Sequence, residues 1–229
     1  MEPLVIWGAG AIGGVVGAWL SRTGHDPLLV DTVPEHVAAM QRTGLTVSGV
    51  RPTFTQPVRA ALPEEVQGPL QTVYLAVKCQ NTEAAIAMVA PLLAKDGAVV
   101  SLQNGLNEDV IASAVGRERT IGAFVNFSAT WKGPGDLEHG GAHPIYVGEL
   151  DGAMTPRLAA IRGTLAAFEE TVATTDIWGY LWSKLVYGCL LEATALVDED
   201  IPDLLREPGV GPILHSLVRE AMAVPDRLG

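Results

Sequence analysis

A glycine-rich turn near the start of the chain most strongly limits the folds available to it. Gly8–Gly13 (GAGAIG) follows the short apolar segment Leu4–Trp7 and precedes an apolar segment that runs to about Arg22. G-x-G-x-x-G between a strand and a helix is typical of dinucleotide-binding folds, where the glycines allow a tight turn, close approach to a pyrophosphate and close helix–strand packing. The helix N-terminus adds N–H donors for the diphosphate. A purely structural glycine turn is the alternative interpretation.

The order of apolar and helical segments predicts the fold class. Helical patterns separate the predicted strands, which are Leu4–Trp7, Pro27–Asp31, Thr72–Val77, Ala98–Leu102, Thr120–Thr130 and His143–Glu149. Residues 45–61 predict two short strands at an edge of the sheet or in an excursion. Alternating strands and helices favour right-handed crossovers and a mainly parallel sheet. From residue 155 the pattern is helical, so we predict an α/β chain with a Rossmann domain at 1–152 and an all-helical domain at 153–229.

Polar side chains follow several predicted strands where each strand ends. Lys78 comes after TVYLAV, Asn104 comes after AVVSL, and Ser128 and Ala129 lie near the end of a later strand. Ligands of open α/β sheets bind outside the carboxyl ends of the strands. Lys78, Asn104 and Ala129 are therefore predicted to line the cofactor site, although Asn104 could be only a turn residue before Gly105.

Asp31 predicts which dinucleotide is bound. It ends the second predicted strand, about 20 residues beyond the glycines, where a carboxylate accepts hydrogen bonds from the adenosine ribose and repels a 2′-phosphate. No Arg or Lys follows until Arg42. NAD(H) is therefore expected to be preferred over NADP(H). Alternatively, Asp31 merely caps the following helix.

Composition excludes several classes of partner. The 229 residues carry a formal net charge of −11, which argues against nucleic acid and anionic membranes. The uncharged run from Leu4 to Leu20 is explained by the glycine turn, so no membrane segment is expected. The two cysteines, Cys79 and Cys189, are far apart and have no metal-binding spacing. So few cysteines favour the reducing cytoplasm, and both are expected to pack as small apolar residues.

The histidines give only a weak indication of a metal site. His139 and His143 have a spacing that could bind zinc on a helix, but they lie in a Gly-Pro loop without a third ligand. We therefore expect no metal and a solvated loop at these residues.

Four motifs, in order along the chain, resemble the ketopantoate reductase (2-dehydropantoate 2-reductase) family: GAGAIGG, AVKCQNTEAAI, SLQNGLN and WSKLVYG. The resemblance implies an N-terminal Rossmann domain and a helical C-terminal domain of the 6-phosphogluconate dehydrogenase-like kind. It also implies a nicotinamide cofactor and a 2-oxo acid substrate, and it leaves a homodimer open. By this resemblance Lys184 is the catalytic lysine, and Lys78 and Asn104 lie at the nicotinamide and substrate. The resemblance also implies a phosphate loop formed by Gly8, Ala9, Gly10, Ala11, Ile12 and Gly13.

Lys184 is the single cation in the largely apolar segment Asp176–Leu196. Hydride delivered to a ketone carbon leaves charge on the oxygen, which an ammonium can stabilise and protonate. Partial desolvation would lower the pKa of this lysine and ease proton donation. A lysine that merely extends to solvent from an amphipathic helix is the alternative.

The chain departs from the family in two respects. Gly188 and Glu192 share the face of Lys184 and stand where ketopantoate reductases usually carry substrate-binding asparagines. Because the asparagines are absent, ketopantoate itself is expected to be a poor substrate. Glu192 would in addition repel a carboxylate, or it is simply a solvated or capping side chain. By the resemblance, family members also continue beyond Arg219–Gly229. We therefore expect a fragment with an incomplete helical domain; the alternative is a site that is completed otherwise. An imine reductase, a polyol-type dehydrogenase and a non-catalytic dinucleotide-binding relative remain alternatives.

Overall fold

A computed structural model of the chain describes residues 4–141 and 143–224. The strands are β1 (Leu4–Trp7), β2 (Leu28–Val30), β3 (Leu45–Gly49), β4 (Phe54–Gln56), β5 (Arg59–Ala61), β6 (Leu70–Leu75), β7 (Leu93–Ser101), β8 (Thr120–Phe124), β9 (Ala129–Gly133), β10 (Asp136–His139), β11 (Ile145–Glu149) and β12 (Thr171–Ala173). The α-helices are α1 (Ala11–Arg22), α2 (Pro34–Thr43), α3 (Thr82–Val89), α4 (Glu108–Val115), α5 (Pro156–Leu165), α6 (Ile177–Thr194), α7 (Ile201–Leu204) and α8 (Val210–Met222). Residues 225–229, at the end of the predicted helical domain, lie outside the described residues.

An eight-stranded sheet forms the centre of the N-terminal unit. Its order is β12-β11-β8-β7-β6-β1-β2-β5, and all neighbours are parallel except β11 and β8. From β5 to β8 this is the strand order of a Rossmann fold, which reverses direction between β1 and β6. The predicted α/β fold with a mainly parallel sheet is therefore confirmed, and the reversal marks the position where such sheets bind dinucleotides.

Both faces of this sheet are buried, which explains why its strands read as continuous apolar runs. Ile6, Tyr74 and Val100 join the hydrophobic cluster on one face, together with side chains of α1 and α5. Val73 and Val99 join a second cluster on the opposite face, where α3 and α4 contribute. The sheet is consequently a rigid layer between two cores.

A second sheet was not predicted. Its order is β4-β3-β10-β9, in which β3 and β10 are parallel and the other neighbours are antiparallel. It packs on helix α1, where a Cβ placed on Gly14 would lie 2.5 Å from the Leu137 side chain of β10. The segment predicted as one strand from Thr120 to Thr130 is therefore divided between the two sheets, with β8 in the first and β9 in the second.

Helices begin and end at recognisable residues. Pro34 occupies the first turn of α2, and Gly44, with φ of 81°, follows its last residue. Thr155 caps α5 by accepting a hydrogen bond from the Leu158 amide at 3.1 Å. These local signals set the boundaries of the two helices.

The chain forms two compact units, one that extends to Ile177 and one that begins at Trp178. The first unit therefore does not end at residue 152, where the sequence pattern changes. Strand β12 pairs in parallel with β11, and α5 joins the core of the same unit. The second unit contains most of α6 together with α7 and α8. Within the described residues, no helix combines the length and the apolarity needed to cross a membrane.

Candidate cofactor and substrate site

Four segments leave the sheet at the same edge. Trp7 is in register with Val30 of β2 and with Leu75 of β6, and Leu75 is in register with Ser101 of β7. The residues that follow these strand ends therefore emerge side by side. The structure brings together at this edge the glycine turn, Asp31, Lys78 and Asn104.

The glycines of the turn have different surroundings. Gly8 has φ of +100°, and a Cβ there would lie 2.8 Å from the Val77 amide nitrogen. A Cβ on Gly13 would lie only 2.0 Å from the Gly8 carbonyl oxygen, whereas a Cβ on Gly10 would meet no atom within 4 Å. The first and third glycines are thus required by close packing, and the second leaves open space in front of the α1 N-terminus. That combination fits a bound pyrophosphate.

Asp31 is partly exposed directly after β2. Its Oδ1 accepts a hydrogen bond from the Val33 amide at 3.0 Å. Val33 itself occupies the N-cap position of α2 and makes no side-chain capping hydrogen bond. Asp31 therefore shapes the turn before α2, and its second carboxylate oxygen could still accept a hydrogen bond from a ribose.

A buried hydrogen-bond network supports the loops that carry Lys78 and Asn104. Gln103 Nε2 donates to the Val77 carbonyl at 2.9 Å and to Thr82 Oγ1 at 2.8 Å. Thr82 Oγ1 donates to Asn107 Oδ1 at 3.1 Å, and Asn107 Nδ2 donates to the Asn104 carbonyl at 2.9 Å. The network joins the segments after β6 and β7. Lys78 and Asn104 remain exposed at its rim.

Glu108 lies beneath this network and was not predicted as a site residue. It is fully buried at the start of α4, and its Oε2 accepts a hydrogen bond from the Asn107 amide at 3.0 Å. Burial raises the pKa of Glu108 to about 6. In the sequence, Glu108 looks like an ordinary acidic residue at the start of an apolar helix. Only its burial distinguishes it from such a residue.

Ala129 occupies a different position from the one predicted. It does not lie near the end of a strand of the main sheet but begins β9 in the second sheet, where it pairs with His139. The main-sheet strand β8 already ends at Phe124, five residues before Ala129. A role of Ala129 in cofactor binding therefore stays a prediction without the strand-end argument.

Lys184 lies in α6 and is partly buried. Desolvation lowers the pKa of its ammonium group from the usual value to about 8. Gly188 and Glu192 follow on the same helical face. A Cβ on Gly188 would meet no atom within 4 Å, and Glu192 is exposed, as expected for a solvated side chain.

Two predictions about other reactive residues are wrong. His139 is not in a solvated loop but is buried in β10, with its Nε2 3.8 Å from Glu169 Oε1, and burial lowers the pKa of its imidazole. Cys79 is exposed rather than packed in a core, whereas Cys189 is partly buried. Across residues 4–141 and 143–224, no group of three or more His, Cys, Asp or Glu side chains is arranged to hold a metal ion.

Comparisons with known proteins identify the family of the chain. The family model for ketopantoate reductase PanE/ApbA matches residues 4–152. The 2-dehydropantoate 2-reductase of Mesorhizobium japonicum is 27% identical over 99% of this chain and 76% of its own length, and that of Archaeoglobus fulgidus is 28% identical over 100% and 76%. The crystal structure of a PanE/ApbA family ketopantoate reductase from Ralstonia eutropha JMP134 superposes with a TM-score of 0.86, at 29% identity, over 100% of this chain and 75% of that one.

The chain thus spans about three quarters of the length of these relatives. The range matched by the family model contains the glycine turn, Asp31, Lys78 and Asn104, which the fold gathers at one edge of the sheet. The strand order, the glycine geometry and the family match lead to one assignment: the chain belongs to the ketopantoate reductase PanE/ApbA family.

Proposed function

We propose that the chain is an NAD(P)H-dependent oxidoreductase that reduces the ketone of a 2-oxo acid, as the name 2-dehydropantoate 2-reductase states for its relatives. The observation that carries this proposal is the glycine turn. Two of its glycines have no room for a side chain and the one between them faces open space, at the edge of a sheet with Rossmann strand order. Family membership extends the proposal from dinucleotide binding to carbonyl reduction.

The residues present fit a pyridine nucleotide. The backbone of Gly8–Gly13 and the α1 N-terminus would hold the diphosphate, and Asp31 would hold the adenosine ribose. Lys78 and Asn104 are exposed beside them and would contact the nicotinamide half and the substrate. A bound reduced nicotinamide supplies the hydride.

Lys184 is proposed as the general acid. An ammonium group that donates a hydrogen bond to the ketone oxygen stabilises the developing negative charge and then supplies the proton. Its lowered pKa of about 8 supports this role, because such a group is mostly protonated at neutral pH yet gives up its proton more readily than an ordinary lysine.

Asp31 is proposed to make NADH the preferred cofactor. Its carboxylate would repel a 2′-phosphate bound next to it, and no Arg or Lys lies between it and Arg42 at the opposite end of α2. Calorimetric titration with NADH and NADPH tests this, and tighter binding of NADH is expected. In the Asp31→Ala variant the difference between the affinities for NADH and NADPH should become smaller. Equal or tighter binding of NADPH by the wild-type chain would contradict the proposed role of Asp31.

Turnover distinguishes an enzyme from a dinucleotide-binding relative. Loss of NADH absorbance would be followed with a panel of 2-oxo acids that includes ketopantoate, and with imines and polyols (the latter with NAD⁺) as comparison substrates. Reduction of at least one 2-oxo acid, lost in Lys184→Met, is the expected result. Cofactor binding without turnover of any 2-oxo acid would refute the proposal.

The substrate pocket is proposed to differ from that of ketopantoate reductases proper. Gly188 carries no side chain, and Glu192 is exposed and hence solvated, so neither residue replaces the hydrogen bonds of the asparagines usual in the family. A 2-oxo acid with a bulkier substituent is therefore proposed as the better substrate. Its carboxylate needs another hydrogen-bond partner, which Asn104 could supply.

A further inference from the structure

The carbonyl of Ala9, within the glycine turn, is held by a side chain from outside the turn. Ala9 is fully buried, and its peptide precedes the N-cap residue Gly10. The Ala9 amide donates to the Val30 carbonyl at 3.0 Å, and the Ala9 carbonyl oxygen accepts a hydrogen bond from His36 Nε2 at 2.9 Å. His36 lies in α2, 27 residues further along the chain.

The second ring nitrogen of His36 has a fixed partner too. His36 is 1% exposed, and its Nδ1 accepts a hydrogen bond from the Gly135 amide at 3.0 Å. Gly135 lies in the turn between β9 and β10, and its carbonyl accepts from the Thr46 amide of β3 at 2.8 Å. A carbonyl can only accept and an amide N–H can only donate, so these two bonds require the neutral imidazole with its proton on Nε2.

The direction of the Ala9 carbonyl determines where the next amide points. In a planar trans peptide the C=O and the following N–H point in opposite directions. With its carbonyl directed at His36, the Ala9–Gly10 peptide presents the Gly10 N–H away from α2. Glycine has few conformational restrictions, so this peptide would rotate easily without an anchor.

We propose that His36 is a positioning residue for the cofactor: it fixes the Ala9–Gly10 peptide so that the Gly10 N–H is presented to the dinucleotide diphosphate, and it ties this peptide to the second sheet. This inference rests on the proposed dinucleotide binding, which it deepens. Both ring nitrogens of His36 are engaged by backbone groups, so the proposal assigns it no direct contact with the cofactor. It acts through the backbone of the glycine turn.

Two substitutions separate the two hydrogen bonds of His36. In His36→Asn the side-chain oxygen can take the place of Nδ1 and accept from Gly135, but nothing reaches the Ala9 carbonyl. In His36→Gln the side-chain amide can take the place of Nε2 and donate to Ala9, but the bond from Gly135 is lost. Each variant loses one buried hydrogen bond, so both should have lowered melting temperatures by a similar amount.

Cofactor affinity should separate the variants. We expect His36→Asn to raise the Kd for NADH about tenfold, as for loss of one buried hydrogen bond, and His36→Gln to stay within about threefold of the wild type. Saturating NADH should restore most of the turnover of His36→Asn, because the defect lies in binding. Wild-type affinity in folded His36→Asn, or an equal loss in both variants, would overturn the inference.

Two measurements on the cofactor-free chain keep this test separate from the proposed function. Hydrogen exchange of the amides of Gly8–Gly13 should accelerate in His36→Asn and not in His36→Gln, and equal exchange in the two variants would overturn the inference. Imidazole ¹⁵N chemical shifts of the wild type should show the Nε2-protonated tautomer, and protonation on Nδ1 would overturn it even if neither variant folds. If the wild type binds no NADH while these results hold, the proposed function fails and His36 still anchors the turn.

Discussion

Replacing Gly13 by alanine should destabilise the N-terminal unit measurably. The new Cβ would lie 2.0 Å from the Gly8 carbonyl oxygen and 2.9 Å from the Ala76 Cβ, so backbone has to move. Overpacking of this kind costs about 1–3 kcal/mol, and a clash with backbone places Gly13→Ala near the upper value. Because Gly13 lies within α1, alanine regains about 1 kcal/mol of helix propensity. The net loss is about 2 kcal/mol, or about 4–8 °C in melting temperature for a unit of this size.

Gly10→Ala is the matched control. Its Cβ meets no atom within 4 Å and φ is −65°, so only the poorer N-cap preference of alanine acts, which costs about 0.5–1 kcal/mol, or about 1–4 °C in melting temperature. The methyl group would instead project into the space proposed for the diphosphate and should weaken NADH binding more than tenfold. Calorimetric melting and NADH titration of both variants test this. A Gly13→Ala variant that melts like the wild type, or a Gly10→Ala variant that binds NADH normally, would refute the assignment of packing and binding roles to these glycines.

Three further predictions concern the ionisable and substrate-contacting residues. Lys184→Met should bind NADH normally but lose about 10²–10⁴-fold in turnover. Wild-type turnover should fall as pH rises through about 8, where the ammonium group of Lys184 deprotonates. If turnover of Lys184→Met stays within a few-fold of the wild type, Lys184 has no part in the mechanism. Because burial raises the pKa of Glu108, its contribution to stability is present below pH 4.5 and is lost as pH rises through about 6. By denaturant titration, Glu108→Gln should therefore be about 2 kcal/mol more stable than the wild type above pH 7 and equally stable at low pH. Parallel stability profiles of the two proteins against pH would contradict this. Replacing both Gly188 and Glu192 by asparagine should raise activity on ketopantoate relative to the wild type, because the new side chains restore hydrogen bonds to the polar groups of this substrate. Efficient ketopantoate reduction by the unmodified chain would show that other residues bind this substrate.

The sequence by itself determined the cofactor edge of the sheet. Glycine spacing reflects steric requirements of a local turn, and apolar runs reflect burial of a strand on both faces, so both can be read without the tertiary structure. From these two signals the parallel sheet follows, and with it the neighbouring positions of Asp31, Lys78 and Asn104. Lys184 was singled out from the sequence as one cation within an apolar segment, and its role as the general acid stays a prediction.

The tertiary structure alone decided how far the N-terminal unit extends and where the second sheet forms. Strand β3 pairs with β10, and β11 pairs with β12 across helix α5. Such pairings depend on contacts between distant segments, and the short strands involved have weak patterns of their own. The burial of His139 follows from the second sheet and was therefore missed together with it.

The supporting residues of the site also depend on the tertiary structure. His36, Thr82 and Glu108 occupy helices in which a polar residue is ordinary, and nothing in their local sequence marks them. Their importance comes from burial and from the groups that face them: the Ala9 carbonyl, the Gln103 amide and the Asn107 amide. Polar groups removed from water must find hydrogen-bond partners, and only the folded chain determines which partners come within reach.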